Sequence, residues 1–172
     1  RMHKWLRSVP PLDKPAWKPN KDSYLREWQG NWEKAQEAGD EIVIEWLKRS
    51  QAIVKLMDFR MFEHCPTGWM HWDLWVDNIL MHGQRLASIV DFDRMTMAYP
   101  EIDVARAVLS GSLRDGQMRM ETLRAFMDGY RGHSEVPQGM LTRAMRMLYL
   151  NEPIWWLRTE VRAESELRGL LS

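Results

Sequence analysis

The stretch His71-Trp72-Asp73-Leu74-Trp75-Val76-Asp77-Asn78-Ile79-Leu80 constrains this chain more than any other. An Asp and an Asn with four residues between them sit poorly in a packed core. Leu74, Val76, Ile79 and Leu80 are nevertheless expected to anchor the stretch in one. Polar groups held on a loop by apolar anchors are what a reaction centre needs. The stretch is answered further on by Ile89-Val90-Asp91-Phe92-Asp93. Asn78-Ile79-Leu80-Met81 and Leu86-Ala87-Ser88-Ile89-Val90 are short apolar runs, and His82-Gly83-Gln84-Arg85 between them contains a Gly, so they read as a hairpin. Folding at that turn brings Asn78 to within about two residues of facing Asp91.

Two oxygen ligands then converge from two strand ends. Mg²⁺ is commonly held this way, by one or two protein oxygens completed by phosphates and water. The spacing H-x-D-L-x-x-x-N is that of a kinase catalytic loop. There the Asp accepts the proton of a substrate hydroxyl and the Asn holds a metal ion.

Composition narrows the alternatives. The chain has 172 residues, enough for one domain with a real core. Its 24 basic and 24 acidic residues cancel, so the basic excess of a nucleic-acid binder is not expected. No apolar run approaches the roughly 18 residues that span a bilayer, so no membrane partner is expected. The single Cys, Cys65, excludes an internal disulfide and points to a reducing, cytoplasmic setting. Cys65 beside His64 lacks the spaced partners of a zinc site or a thiol nucleophile. His64 and His82 read as exposed loop residues. Ten Trp and thirteen Met suggest a bulky, adaptable core.

Elsewhere the chain reads as helix. Residues 1–8 look like the last turns of a helix, stopped by Val9-Pro10-Pro11. A second helix is expected with Asp22 or Ser23 as N-cap, Tyr24, Trp28 and Trp32 on one face, and Gly39 as its stop. A longer one is expected over 41–62, with Val43, Trp46, Leu47, Val54 and Met57 near a 3.6-residue period. After the hairpin, which is the one convincing β region, come a short helix through Ile102, Val104, Ala105, Val108 and Leu109, ended by Ser110-Gly111-Ser112, and another over 117–130. Pro137 opens a third, and Pro153 separates it from a last one. No repeat, low-complexity tract or flexible linker marks a domain boundary.

The central stretch, Val90-Asp91-Phe92-Asp93 and Tyr99-Pro100-Glu101-Ile102-Asp103-Val104-Ala105 together resemble the aminoglycoside phosphotransferase and choline kinase superfamily. Its catalytic loop commonly reads H-G-D-x-H-x-x-N, followed by a hydrophobic-Asp-Phe/Trp segment and then D-P-x-x-D-L-A. The likeness is strongest from His71 to Arg106. It implies an α+β fold, mostly α-helical: the C-terminal lobe of a protein-kinase-like fold, with a small β-hairpin carrying the catalytic and metal-binding loops. It implies Asp73 as catalytic base, and Asn78 and Asp91 as ligands joining Mg²⁺ to the phosphates of ATP. It implies that His71 braces the loop and that Asp103 is a buried carboxylate bonded to the loop backbone. Asp93 stands where some members have Gly and others an acid, and its role is open.

Three positions depart from the pattern. Trp72 replaces the usual Gly, Trp75 the common His, and Tyr99 the Asp before Pro. No glycine-rich loop and no strand Lys with a helix Glu are found. Met2-His3-Lys4-Trp5-Leu6 resembles the helix just after the family's hinge. A nucleotide-binding N-terminal lobe is therefore expected to precede Arg1, and residues 1–172 alone are expected to show negligible kinase activity. Trp156, Glu160 and Glu164 share a helix face that could hold an amine by cation–π and charge contacts. They could equally be a packed Trp beside a solvated acidic edge.

Three functions remain open from sequence. One is ATP-dependent phosphorylation of a small-molecule hydroxyl on an aminoglycoside, an amino alcohol or a sugar-like metabolite. Another is a kinase-like binding module without phosphoryl transfer. The third is a metal-dependent hydrolase using Asp73, Asp91 and Asp93.

Overall fold

A computed structural model describes residues 1–156, 158 and 160. It is a mixed α/β structure, mostly helical, with three small antiparallel sheets of two strands each among the described residues. The chain forms two compact units. One comprises Arg1–Lys18 and His64–Met145; the other comprises Pro19–Glu63 and the residues from Arg146.

The second unit is built on a helix pair, α2 (Lys21–Ala38) and α3 (Glu41–Leu56). Asn20, not Asp22 or Ser23, caps α2. Its side chain accepts the Ser23 N–H at 2.9 Å and its own N–H faces Ser23 Oγ at 3.4 Å, a reciprocal capping box. Gly39 ends α2 at φ +66°, and Asp40 then caps α3 by accepting the Val43 N–H at 3.2 Å. Tyr24 and Trp28 are buried, and Trp32 stacks on Trp28 with ring centroids 5.4 Å apart. Trp28, Ala35, Val43, Ile44 and Leu47 form the core of the pair. Trp46 lies off this face and is exposed. The helix expected to reach residue 62 ends at Leu56. Met57 is extended, and the Asp58 carboxylate accepts the Arg60 N–H at 3.0 Å, opening a separate 3₁₀ turn, Phe59–Phe62. A short acidic side chain that can bond the backbone two residues on competes with helix continuation.

The first unit begins with α1 (Met2–Leu6). β1 (Gly68–Met70) pairs with β4 (Thr96–Ala98), strands too short for a two-residue alternation to register in the sequence. Between them lies the expected hairpin, β2 (Ile79–His82) and β3 (Arg85–Ile89), with Ile79 opposite Ile89 and a bulge after Leu80. A second hairpin, β5 (Leu113–Arg114) and β6 (Gln117–Met118), overrides the helix expected from 117. Its turn is Asp115-Gly116, with φ of +50° and +72°, the left-handed pair that an Asp-Gly hairpin turn demands.

The helix after it, α5 (Met120–Arg131), starts three residues later than expected. Its Leu123, Phe126, Met127 and Tyr130 pack with Val104 and Val108 of α4 (Glu101–Ser112) and with Met140. The last helix, α6 (Met140–Trp156), runs through Pro153 instead of breaking there. Pro keeps a helical φ and forfeits one hydrogen bond, which a long helix can absorb.

α4 is the axis of the first unit. Every residue from Glu101 to Val108 is buried, charged ones included. Buried charge on a helix needs fixed partners. For Asp103 and Arg106 those partners are the loop before β2.

Candidate active site

Asp103 is fully buried and accepts the backbone N–H of His71 at 2.7 Å and of Trp72 at 3.0 Å. His3 of α1 donates Nε2–H to the same carboxylate at 3.0 Å, and its Nδ1 meets the Tyr130 hydroxyl at 3.2 Å. One carboxylate on α4 thus fixes the turn immediately before Asp73.

His71 is buried and links the two halves of the site. Its Nε2 donates to the Val90 carbonyl oxygen at 2.8 Å, and its Nδ1 accepts the Asp73 N–H at 3.3 Å. These bonds assign the neutral tautomer with the proton on Nε2. The ring also packs against Phe92 at 4.6 Å between centroids. The residues before Asp91 and at Asp73 are therefore tied through one imidazole.

Asn78 closes the arrangement. The Val90 N–H donates to its carbonyl oxygen at 3.0 Å, so Asn78 faces Val90, one residue short of Asp91. Its Nδ2 donates to the Asp73 carbonyl oxygen at 2.8 Å. That bond orients the amide and leaves Oδ1 as the end able to meet a cation. Asp91 is exposed, at φ +62°, a conformation that Asp tolerates better than most residues. Asp73 and Asn78 are half-buried and Asp93 is exposed. An amide oxygen and a carboxylate are hard donors, the kind that Mg²⁺ takes and soft metals do not prefer. Among the described residues, no group of three or more His, Cys, Asp or Glu is placed to hold a metal.

Arg106 and Ser110 carried no sequence signal by themselves. With Asp103 they form a polar row at i, i+3 and i+7 of α4, one helix face. Arg106 donates Nη1–H to the Trp72 carbonyl oxygen. Ser110 Oγ donates to the Arg106 carbonyl oxygen at 2.8 Å and accepts the Val76 N–H at 2.9 Å. The row holds the loop at both ends. His3 could not have been found in sequence, since it lies 100 residues from its partner.

Other candidates fall away from the loop. His64 and His82 are exposed. Cys65 is buried, and burial first, then the nearby Glu101 carboxylate, pushes its thiol up to about 12, so it stays protonated and unreactive at neutral pH. Glu160 is exposed and paired with Lys34 at 3.1 Å, both in the second unit. A backbone hydrogen bond, then that lysine, hold its carboxyl below the usual range. The side chain of Trp156 and all of Glu164 lie outside the described residues.

No helix among the described residues is long and apolar enough to cross a membrane. Comparison with curated proteins returned no match. A family model described as the phosphotransferase enzyme family matches residues 1–136, which include the whole loop, the hairpin and α4. The chain belongs to the phosphotransferase enzyme family.

Proposed function

We infer that this chain carries the acceptor-activating and metal-holding half of an ATP-dependent small-molecule kinase. The observation that carries the reading is the His71 bridge, whose two ring nitrogens bond the backbone of Asp73 and of Val90, the residue before Asp91. Three groups of distinct chemistry are thereby held on one short scaffold.

Asp73 orients an acceptor hydroxyl and takes its proton as the oxygen bonds to the γ-phosphorus. The bond from that phosphorus to the β-phosphate oxygen breaks, and ADP leaves. Asn78 Oδ1 and the Asp91 carboxylate would hold Mg²⁺, which when bound neutralises phosphate charge. The chain's contribution is positioning more than covalent chemistry. The acceptor is a hydroxyl on an aminoglycoside, an amino alcohol or a sugar-like metabolite.

The test is nucleotide consumption by the full gene product, offered that panel of acceptors with Mg²⁺ present. Asp91→Asn and Asn78→Ala should raise the Mg²⁺ concentration needed for half-maximal rate by about tenfold or more, in line with a lost charge-bearing or oxygen ligand. Turnover without any acceptor dependence, or an unchanged Mg²⁺ requirement in both variants, would overturn the reading.

A further inference from the structure

Trp72 has φ +68°, a backbone conformation that Gly adopts freely and a bulky side chain does not. It immediately precedes Asp73, so whatever holds Trp72 also sets where Asp73 points. Arg106 answers both halves of the problem. It is 4% exposed and donates to the Trp72 carbonyl oxygen. Its guanidinium also lies 5.4 Å from the centroid of the Trp72 ring and 5.8 Å from that of Trp75. A planar cation suits this task, since one face can meet aromatic rings while the edge donates hydrogen bonds. From outside, Trp17 packs edge-on against Trp72 at 5.8 Å and against Tyr99 at 6.2 Å. Trp17 is itself on a segment fastened to β4, where the Ala16 N–H donates to the Met97 carbonyl oxygen at 2.8 Å.

We propose that Arg106, gripping Trp72 and Trp75 on either side of Asp73, is a positioning residue that aims the Asp73 carboxylate. The proposal rests on the reading of Asp73 as the group that orients the acceptor. Arg106 touches no reacting atom.

The clamp makes an asymmetric prediction. Arg106→Met should lower kcat by about 30–100-fold, the scale of a small misplacement of a reacting group, with KM for nucleotide changed less than about twofold. Trp72→Gly should stay within about fivefold of the unsubstituted kcat, because Gly holds the same φ without a clamp. The double variant should recover most of what Arg106→Met loses, to within about tenfold of the unsubstituted chain. Arg106→Lys, which keeps the cation but not the fork, should fall between. A general loss of structure would not be rescued by Trp72→Gly.

Amide hydrogen exchange on the same proteins separates the clamp from the reaction. Arg106→Met should speed exchange at Trp72 and Asp73 by about tenfold or more while α5 amides stay as they were, and Trp72→Gly in the same chain should slow it again. That pattern without any turnover in any variant would remove the kinase reading and leave the clamp. Turnover that depends on Asp73, with Arg106→Met and Trp72→Gly acting independently and exchange unaltered at the loop, would overturn the clamp and leave the kinase. Should Arg106→Met fail to fold, Arg106→Lys with and without Trp72→Gly makes the same comparison.

Discussion

Asp103 performs no proposed chemistry, yet the loop's geometry depends on it. Two backbone amides and one imidazole converge on its carboxylate. Replacing it leaves those donors buried without an acceptor. Asp103→Ala should therefore lower the unfolding free energy by about 3 kcal/mol or more, read from urea denaturation, and Asp103→Asn by less, since one acceptor oxygen survives. Cys65 and Tyr99 make a different statement at this scale. Burial pushes the thiol from 9.0 and the phenol from 10.0 up to about 12 each. Both groups bind their protons more tightly folded than unfolded. Their contribution is complete below about 9 and is lost as pH rises toward 12. The urea midpoint should fall across that window, and Cys65→Ala should remove the part that begins near 9.

Some of this was legible residue by residue. Asp73, Asn78 and Asp91 stood out because polar residues at fixed offsets inside apolar runs have few bland explanations. The left-handed backbone at Trp72 was not legible, because Trp gives no hint of it. Trp72 stands where the resembling family has Gly. The structure shows a conformation that favours Gly, occupied by a residue for which it costs about 1–2 kcal/mol. Arg106 is the neighbour placed to offset that cost.

Elements were legible where the signal was local. The β2–β3 hairpin followed from its apolar runs and its turn, and the register placed Asn78 opposite Val90. The buried face of α2 followed from its periodicity. Three of the misses share one cause, a short-range side-chain bond or turn that outweighed periodicity. Asp58 stopped α3, Asp115-Gly116 turned what periodicity gave to α5 into a hairpin, and Asn20 captured the α2 cap from its neighbours. The cap is directly testable. Asn20→Ala removes an acceptor from the first turn of α2, and should destabilise by about 1 kcal/mol in urea unfolding with turnover unchanged. α4 was legible as a helix but not as the axis of its unit. Its Asp103, Arg106 and Ser110 row becomes meaningful once the loop it holds is in place.

At the scale of the whole molecule, composition excluded more than it identified. Balanced charge and a single Cys argued against several classes and named none. The resemblance followed from three motifs in order, and the family match over residues 1–136 includes that region. The two compact units were not legible: Pro10, Pro11, Pro15 and Pro19 read as an extended segment of one body, whereas the chain leaves the first unit at Lys18, returns at His64 and leaves again after Met145. The loop, hairpin and α4 all belong to one unit, so the proposed chemistry is housed in a single packed body.

The most direct test of that chemistry is the kcat of Asp73→Asn, measured in the full gene product with the best acceptor and saturating Mg²⁺ and ATP, beside the nucleotide dissociation constant of the same variant. Loss of the group that orients the hydroxyl and takes its proton should lower kcat by about 100-fold or more and leave nucleotide affinity within about twofold. A kcat close to that of the unsubstituted chain would contradict the account, and Asp73 would then be a loop residue with no part in phosphoryl transfer.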